Sequence, residues 1–239
     1  MTVSYKQAVD AAIVLDYKGT NEAVVAGLNK IKPPGMTRDI ITVDEFRNEW
    51  ARQFAGSGKY GEITAGGNFV TGDTLGQDML KTHWYNKTML SGTDILFFLD
   101  MYDFFATDLA NDSNSAFQVL DYDPGEADKN GIFELALKFA VNGRLATYTA
   151  HATTDVTSYD PTDIAFVSGS PDTITDANSL FVTAGFVAGQ SLMIVGSTSN
   201  DAVHTTISSV AAGTLTLAST TTVTSEDGIS GMELHGGAL

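Results

Sequence analysis

Apolar and polar positions alternate with a period of two along several stretches of the chain. Phe133, Leu135, Leu137, Phe139 and Val141 alternate with Glu134, Ala136, Lys138 and Ala140, the mark of a half-buried strand. Asn142-Gly143 follows. That pair is the strongest short hairpin signal, so Arg144–Ala150 is expected to return as the partner strand. Glu62–Val70 alternates too: Ile63, Ala65 and Phe69 take one face, and Glu62, Thr64 and Asn68 the other. Ile95–Asp103, an apolar run bounded by acids, predicts a further strand.

Two stretches carry helical patterns. Thr42-Val43-Asp44-Glu45 has capping-box spacing, and Phe46, Trp50 and Phe54 then repeat every four residues up to Gly56. This predicts a helix whose aromatic face packs on a core. Thr74-Leu75-Gly76-Gln77 repeats the capping-box spacing and leads through Met79, Leu80, Trp84, Met89 and Leu90 to Gly92. A second helix is expected there, with Trp84 on its packing face. Residues 4–31 admit two readings. Ala8, Ala11, Ala12 and Leu15 have helical spacing, and Ala12–Leu15 equally suits a buried strand.

Beyond Pro161 every segment is short. Asp163–Val167, Ser191–Val195, Ala202–Val210, Thr214–Leu217 and Ile229–Leu234 are candidate strands between Gly-, Ser- and Asn-rich turns, and Asp176–Phe181 suits one helical turn. The fold class expected is mainly β. An N-terminal β-barrel or sandwich domain with one or two packed helices spans 1–152, a linker spans 153–161, and a small all-β domain spans 162–239.

Charge sharpens that division. The 239 residues hold 29 acids and 13 bases, a net of −16. Residues 1–144 carry 20 acids and all 13 bases; residues 145–239 carry nine acids and no Lys or Arg. A chain this acidic is a poor match for phosphate neutralisation on nucleic acid or for an anionic membrane surface. Its longest apolar run, Ile95–Leu99, is too short to span a bilayer. No cysteine is present, so there is no disulfide, thiol nucleophile or thiolate metal site.

Catalytic signatures are absent from the sequence. His83, His151, His204 and His235 form no H-E-x-x-H pattern, and none lies three to five residues from another. No nucleophile elbow, P-loop or dinucleotide fingerprint occurs. Glu126, Asp128, Asn130 and Gly131 match EF-hand positions, but Leu137 stands where the bidentate Glu belongs. The preferred reading is an acidic loop turning at Asn130-Gly131 into a strand. Neither a metal, a cofactor nor an enzymatic activity is expected.

The order of elements in 36–150 resembles the tail tube proteins (major tail proteins) of long-tailed bacteriophages. The segment around Trp50, the run Gly56-Ser57-Gly58-Lys59-Tyr60-Gly61, the strand with Ala65-Gly66-Gly67-Asn68-Phe69, the helix with His83-Trp84, the strand at Ile95 and the turn at Asn142-Gly143 carry that resemblance. Residues 163–217, through Ser170-Pro171-Asp172, Gly185-Phe186, Ile194-Val195-Gly196-Ser197 and Thr214–Leu217, look like a small β module found on phage structural proteins. Residues 1–35 have no counterpart in that layout, and Asp103–Asn130 reads as an insertion.

The resemblance implies hexameric rings that stack into a hollow tube. Such rings have an inner β-barrel, an outer helix and an outer C-terminal decoration. Expected partners are other copies of the chain, a tape-measure protein and transiting DNA in the lumen without specific binding, and tail terminator and baseplate proteins at the ends. No membrane partner is expected. The location implied is the virion, after assembly in the host cytoplasm. Glu62, Thr64 and Asn68 are the expected lumen-facing positions, and strong negative charge suits a conduit along which DNA slides. A capsid decoration or fibre-associated host-binding protein is the alternative. A secreted hydrolase with paired carboxylates ranks last, with nothing positive behind it.

Overall fold

The computed structural model describes residues 11–43, 52–100, 103–125, 133–153, 163–227 and 231–238. The first strands are β1 (Ala12–Leu15), β2 (Ala23–Val24), β3 (Leu28–Lys32), β4 (Met36–Val43), β5 (Arg52–Tyr60) and β6 (Ile63–Asn68). Helix α1 (Gln77–Asn86) follows, then β7 (Met89–Leu90), a 3-10 turn at Gly92–Asp94, β8 (Ile95–Phe98), β9 (Phe104–Thr107), β10 (Ala116–Asp123), β11 (Glu134–Asn142) and β12 (Leu145–Thr153). The remainder holds β13 (Ile164–Val167), β14 (Thr173–Asp176), β15 (Ser191–Val195), β16 (His204–Ala211), β17 (Thr214–Leu217), β18 (Glu226–Asp227) and β19 (Glu233–Ala238). The expected mainly-β class holds, with one α-helix among the described residues.

All pairings are antiparallel, and two sheets dominate. One runs β18-β13-β14-β17-β16-β15-β19-β12-β9-β8-β1-β2; the other runs β3-β6-β11-β10-β7. They meet across a first core. Ile13, Leu15, Ile95, Phe97 and Phe105 come from the long sheet, and Ile63, Ala65, Phe117, Leu135, Leu137 and Phe139 from the short one. Phe97 is its centre: it stacks on Phe105 at 4.9 Å and meets Phe117 and Phe139 edge-on at 5.0 and 5.2 Å. The intervening residues Leu96, Phe104, Ala106 and Ala146 are buried on the opposite face. Burial on both faces explains why Ile95–Phe98 is uniformly apolar instead of alternating.

Several sequence expectations change here. Ile95–Asp103 is not one strand: β8 turns back into β9, with Phe97 opposite Phe105, and Leu99 N donates to Asp103 O at the turn. The segment read as an insertion, from Asp103 onward, supplies β9 to the long sheet and β10 as an inner strand of the short one. Residues 12–15 are the buried strand and not a helix. Gly143 does turn the chain, at φ +78°, but Asn142-Gly143 makes no hairpin. β11 pairs with β10 and β6, while β12 pairs with β9 and β19. The dipeptide encodes a tight reversal and leaves the choice of partner to packing, so the chain crosses between sheets there.

The helix expected from Thr42 to Gly56 is corrected as well. β4 and β5 pair as a two-stranded sheet, with Ile41 opposite Phe54 and Val43 opposite Arg52. A spacing of four is a multiple of two and fits a strand as well as a helix, and the β-branched run Ile40–Val43 decides for the strand. Phe54 is therefore a strand residue; Phe46 and Trp50 lie outside the described residues, as does the loop with Glu126, Asp128, Asn130 and Gly131.

The second helix exists but is shorter than its pattern. Asp73, not Thr74, receives the first amides: Oδ2 accepts from Gln77 N at 2.8 Å and Oδ1 from Gly76 N at 3.2 Å. Lys87 ends the helix in the left-handed region at φ 54°. Its N–H and that of Thr88 return to Trp84 O and His83 O, a common helix stop. Met89–Leu90 then joins the sheet as β7. Leu80 and Gln77 are the buried helix residues. Gln77 ties three segments, donating to Ala26 O and Asn68 O and accepting from Val70 N. Trp84 packs less than expected and is 42 % exposed.

In the second half, the expected strands at 163–167, 191–195, 202–210 and 214–217 are observed, and the last strand falls at 233–238. β14 was not anticipated. Asp176 closes a turn in place of a helix, accepting from Asn178 N and Leu180 N. Phe166, Ile174, Phe181, Phe186, Leu192 and Leu234 fill a second core.

β12 joins the halves. Leu145 enters the first core, Ala146 and Tyr148 a middle cluster with Met193 and Val195, and Ala150 and Ala152 the second core. β19 lies between β12 and β15, pairing Thr153 with Glu233 on one side and Val195 with Glu233 on the other. Close packing forbids side chains at Gly237, where a Cβ would sit 2.9 Å from the Tyr148 ring. Tyr148 itself stacks on Phe104 at 5.0 Å. Gly237→Ala should therefore cost about 1–3 kcal/mol. Urea unfolding at pH 7 measures this, and an unchanged midpoint would mean the seam has room to give.

Candidate functional site

Two polar assemblies stand out: the open face of the short sheet and a buried cluster where the halves join. The first follows from strand alternation. With Ile63, Ala65, Leu137 and Phe139 turned into the core, their neighbours face outward. Lys32 lies opposite Thr64, Thr64 opposite Lys138, and Lys138 opposite Asp121. Lys138 Nζ is 3.4 Å from Asp121 Oδ2. In the next rows, Lys30 stands opposite Gly66 and Asn68 opposite Glu134. A Cβ on Gly66 would strike the Lys30 stem at 2.5 Å, so this glycine lets the lysine lie flat across the sheet.

Asn68 is exposed on this face, Thr64 is half-buried, and Glu62 is exposed just before β6. The charges here are mixed. Lys30, Lys32 and Lys138 accompany Glu62, Asp121, Asp123 and Glu134, so most of the chain's surplus of acid lies elsewhere.

The second assembly gathers residues distant in sequence. His151 and His235 are cross-strand partners, and their Nδ1 atoms lie 3.2 Å apart. His235 Nε2 is 3.0 Å from Glu233 Oε2. Tyr17 Oη donates to the same carboxylate oxygen at 2.5 Å, and Lys18 Nζ lies 3.3 Å from Oε1. Phe104 meets the His235 ring edge-on at 4.9 Å. Glu233 and His235 share a face because they are two residues apart on a strand. A search for histidines at helical or metal-motif spacing passes over such a pair; Glu-x-His within a strand is the signal that finds it.

Burial opposes the charge on Glu233, but hydrogen bonds from His235 and Tyr17, with the positive charge of Lys18, hold its pKa down to about 2. Burial, then the neighbouring His235, pushes His151 down to about 4. Burial and the bond to Glu233 raise Tyr17 far above the ordinary phenol range.

Asp108 is a second buried acid. Asp108 accepts from Ser191 Oγ at 2.6 Å and from Asn111 Nδ2 at 3.0 Å, with Arg144 Nε at 3.7 Å. These bonds again join the two halves. Burial lowers His204 to about 4, against the opposing pull of Asp108, and no hydrogen bond links His204 to Ser191 among the described residues. Among the described residues no three His, Asp or Glu side chains are arranged to hold a metal ion, and none of their helices is long and apolar enough to cross a membrane.

No family model and no curated protein matches the chain. Solved structures do match it in part. A chain from the tail of an empty gene transfer agent particle, refined with C6 symmetry, is 16 % identical, with a TM-score of 0.43 over 59 % of this chain and 97 % of that one. A chain from the virion of a native gene transfer agent is also 16 % identical, with a TM-score of 0.44 over 60 % and 98 %. One from a six-fold symmetrised anti-feeding prophage baseplate is 11 % identical, with a TM-score of 0.40 over 61 % and 97 %.

The histidine cluster gives stability a definite pH dependence. The folded-state pKa of His151 lies below its ordinary value of 6.5. Its contribution is complete above pH 6.5 and is lost as pH falls towards 4. His204 adds to the loss in the same window. Below about 4.5, the depressed Glu233 extends it towards 2. Urea midpoints should be flat from pH 8 to 6.5 and fall between 6.5 and 4, with a shallower fall in His151→Gln. An identical slope in that variant would remove His151 from the account.

Proposed function

We propose that the chain is a virion structural protein: the tube subunit of a phage-like tail, assembling as stacked hexameric rings around a conduit for DNA. The observation that carries this reading is the short sheet, which is apolar on the face towards α1 and the first core and polar on the other. Such a sheet is suited to line a wet channel. Its outer strands β3 and β7 leave edges on which neighbouring copies can continue the pairing. The resemblance of 36–150 to tail tube proteins supports the same reading. Glu62, Thr64 and Asn68 are then lumen positions, and the tape-measure protein, DNA, terminator and baseplate are the partners. Residues 162–239 form an outer decoration.

The mixed charge of the open face modifies the conduit proposed from composition. Paired Lys138 and Asp121 give DNA little net charge to grip, so sliding rests on near-neutrality there more than on a strongly anionic wall. The acidic surplus acts instead between subunits. Six copies at −16 each carry −96, a repulsion that salt screens.

Negative-stain microscopy of the purified protein should reveal six-fold rings or hollow tubes. Sedimentation should find more assembly at 0.5 M salt than at 0.02 M. A monomer at every concentration and ionic strength would overturn the reading.

A further inference from the structure

We infer that the Trp84–Tyr85 ridge of α1 is a docking surface for the base-free half of a second copy of this chain. This rests on the self-assembly proposed above and adds to it which surface takes part. Tyr85 is 79 % exposed, Met89 46 %, Leu120 44 % and Trp84 42 %. Trp84, Tyr85 and Leu120 lie together. Trp84 Nε1 donates to Leu120 O at 3.2 Å, which pins the indole across to β10. Two shallow grooves, of about 370 and 320 Å³, flank the aromatic pair and share both rings as walls. Trp and Tyr that are held in place yet exposed are the side chains that most often dominate interfaces. A contiguous apolar patch of this kind is uncommon on a surface that touches only water.

Charge selects the occupant. Lys81, with Asp78 beside it, borders one groove, and Lys87 is the charged residue of the other. Neither forms an ion pair among the described residues. On a chain of net −16, most surfaces of two copies repel. Residues 145–239 carry nine acids and no Lys or Arg, so this half meets the flanking lysines without a like charge. It also presents apolar side chains of its own: Val182 and Val187, 58 % and 56 % exposed between β14 and β15. Ridge and acceptor are different surfaces of one chain. When the two surfaces pair without reciprocation, the contact is heterologous and propagates into a closed ring or a stack.

The test is sedimentation velocity with negative-stain imaging of the full chain, comparing wild type, Tyr85→Ser, Leu120→Ser and Lys87→Glu. Lys59→Glu, at an exposed position of β5 away from both the ridge and the open sheet face, is the control with the same change of net charge. The two serine variants should raise the concentration needed for assembly at least tenfold while keeping the wild-type urea midpoint, since both side chains are exposed. Lys87→Glu should weaken assembly more than Lys59→Glu does. Wild type that assembles alongside serine variants assembling at the same concentration would overturn this inference and leave the tube reading standing. Equal effects of the two lysine variants would overturn the acidic half as occupant. Wild type that never assembles would overturn both.

Discussion

The insertion of β19 between β12 and β15 is the interaction on which the rest of the structure depends. It makes one sheet out of two units that each have their own core. The pairing commits the end of the chain to the middle of the sheet. Gly236 and Gly237 lie against Ala150 and Tyr148 with no space for a side chain. The consequence is mechanical: the acidic second half is held to the first by backbone ladders on both sides of one strand.

Polar chemistry follows the same seam. Glu233 and His235 ride on β19 and engage Tyr17, Lys18 and His151, while Asp108 and Arg144 of the first half engage Ser191 of the second through the same carboxylate. Buried ionic groups add little net stability but penalise every arrangement that leaves them unpaired. They fix how the halves sit relative to one another, which matters for a subunit whose neighbours must fit repeatedly.

Much of the fold was legible in the sequence wherever a strand is buried on one face, as at Ile63–Asn68 and Glu134–Asn142. Legibility failed where one pattern serves two structures. The four-residue spacing of Phe46, Trp50 and Phe54 fits both periods, and Asn142-Gly143 specifies a turn without its partner. It failed again where tertiary contacts choose among local signals, as when the Asp73 carboxylate, and not Thr74, accepts from the amides at the start of the helix. The charge asymmetry was visible from composition. That the open sheet face is nearly balanced was not, since this depends on cross-strand register. The histidine cluster was hidden because 84 residues separate its two imidazoles.

The central claim is that the short sheet is completed by its neighbours. Hydrogen exchange resolved to the amides of β3 and β7, read in dilute and in assembled protein, tests it most directly. The account predicts that Leu28–Lys32 and Met89–Leu90 gain protection on assembly, while the exposed residues 57–59 of β5 change less. Exchange at both edge strands that stays the same in the assembled and the dilute protein would contradict it.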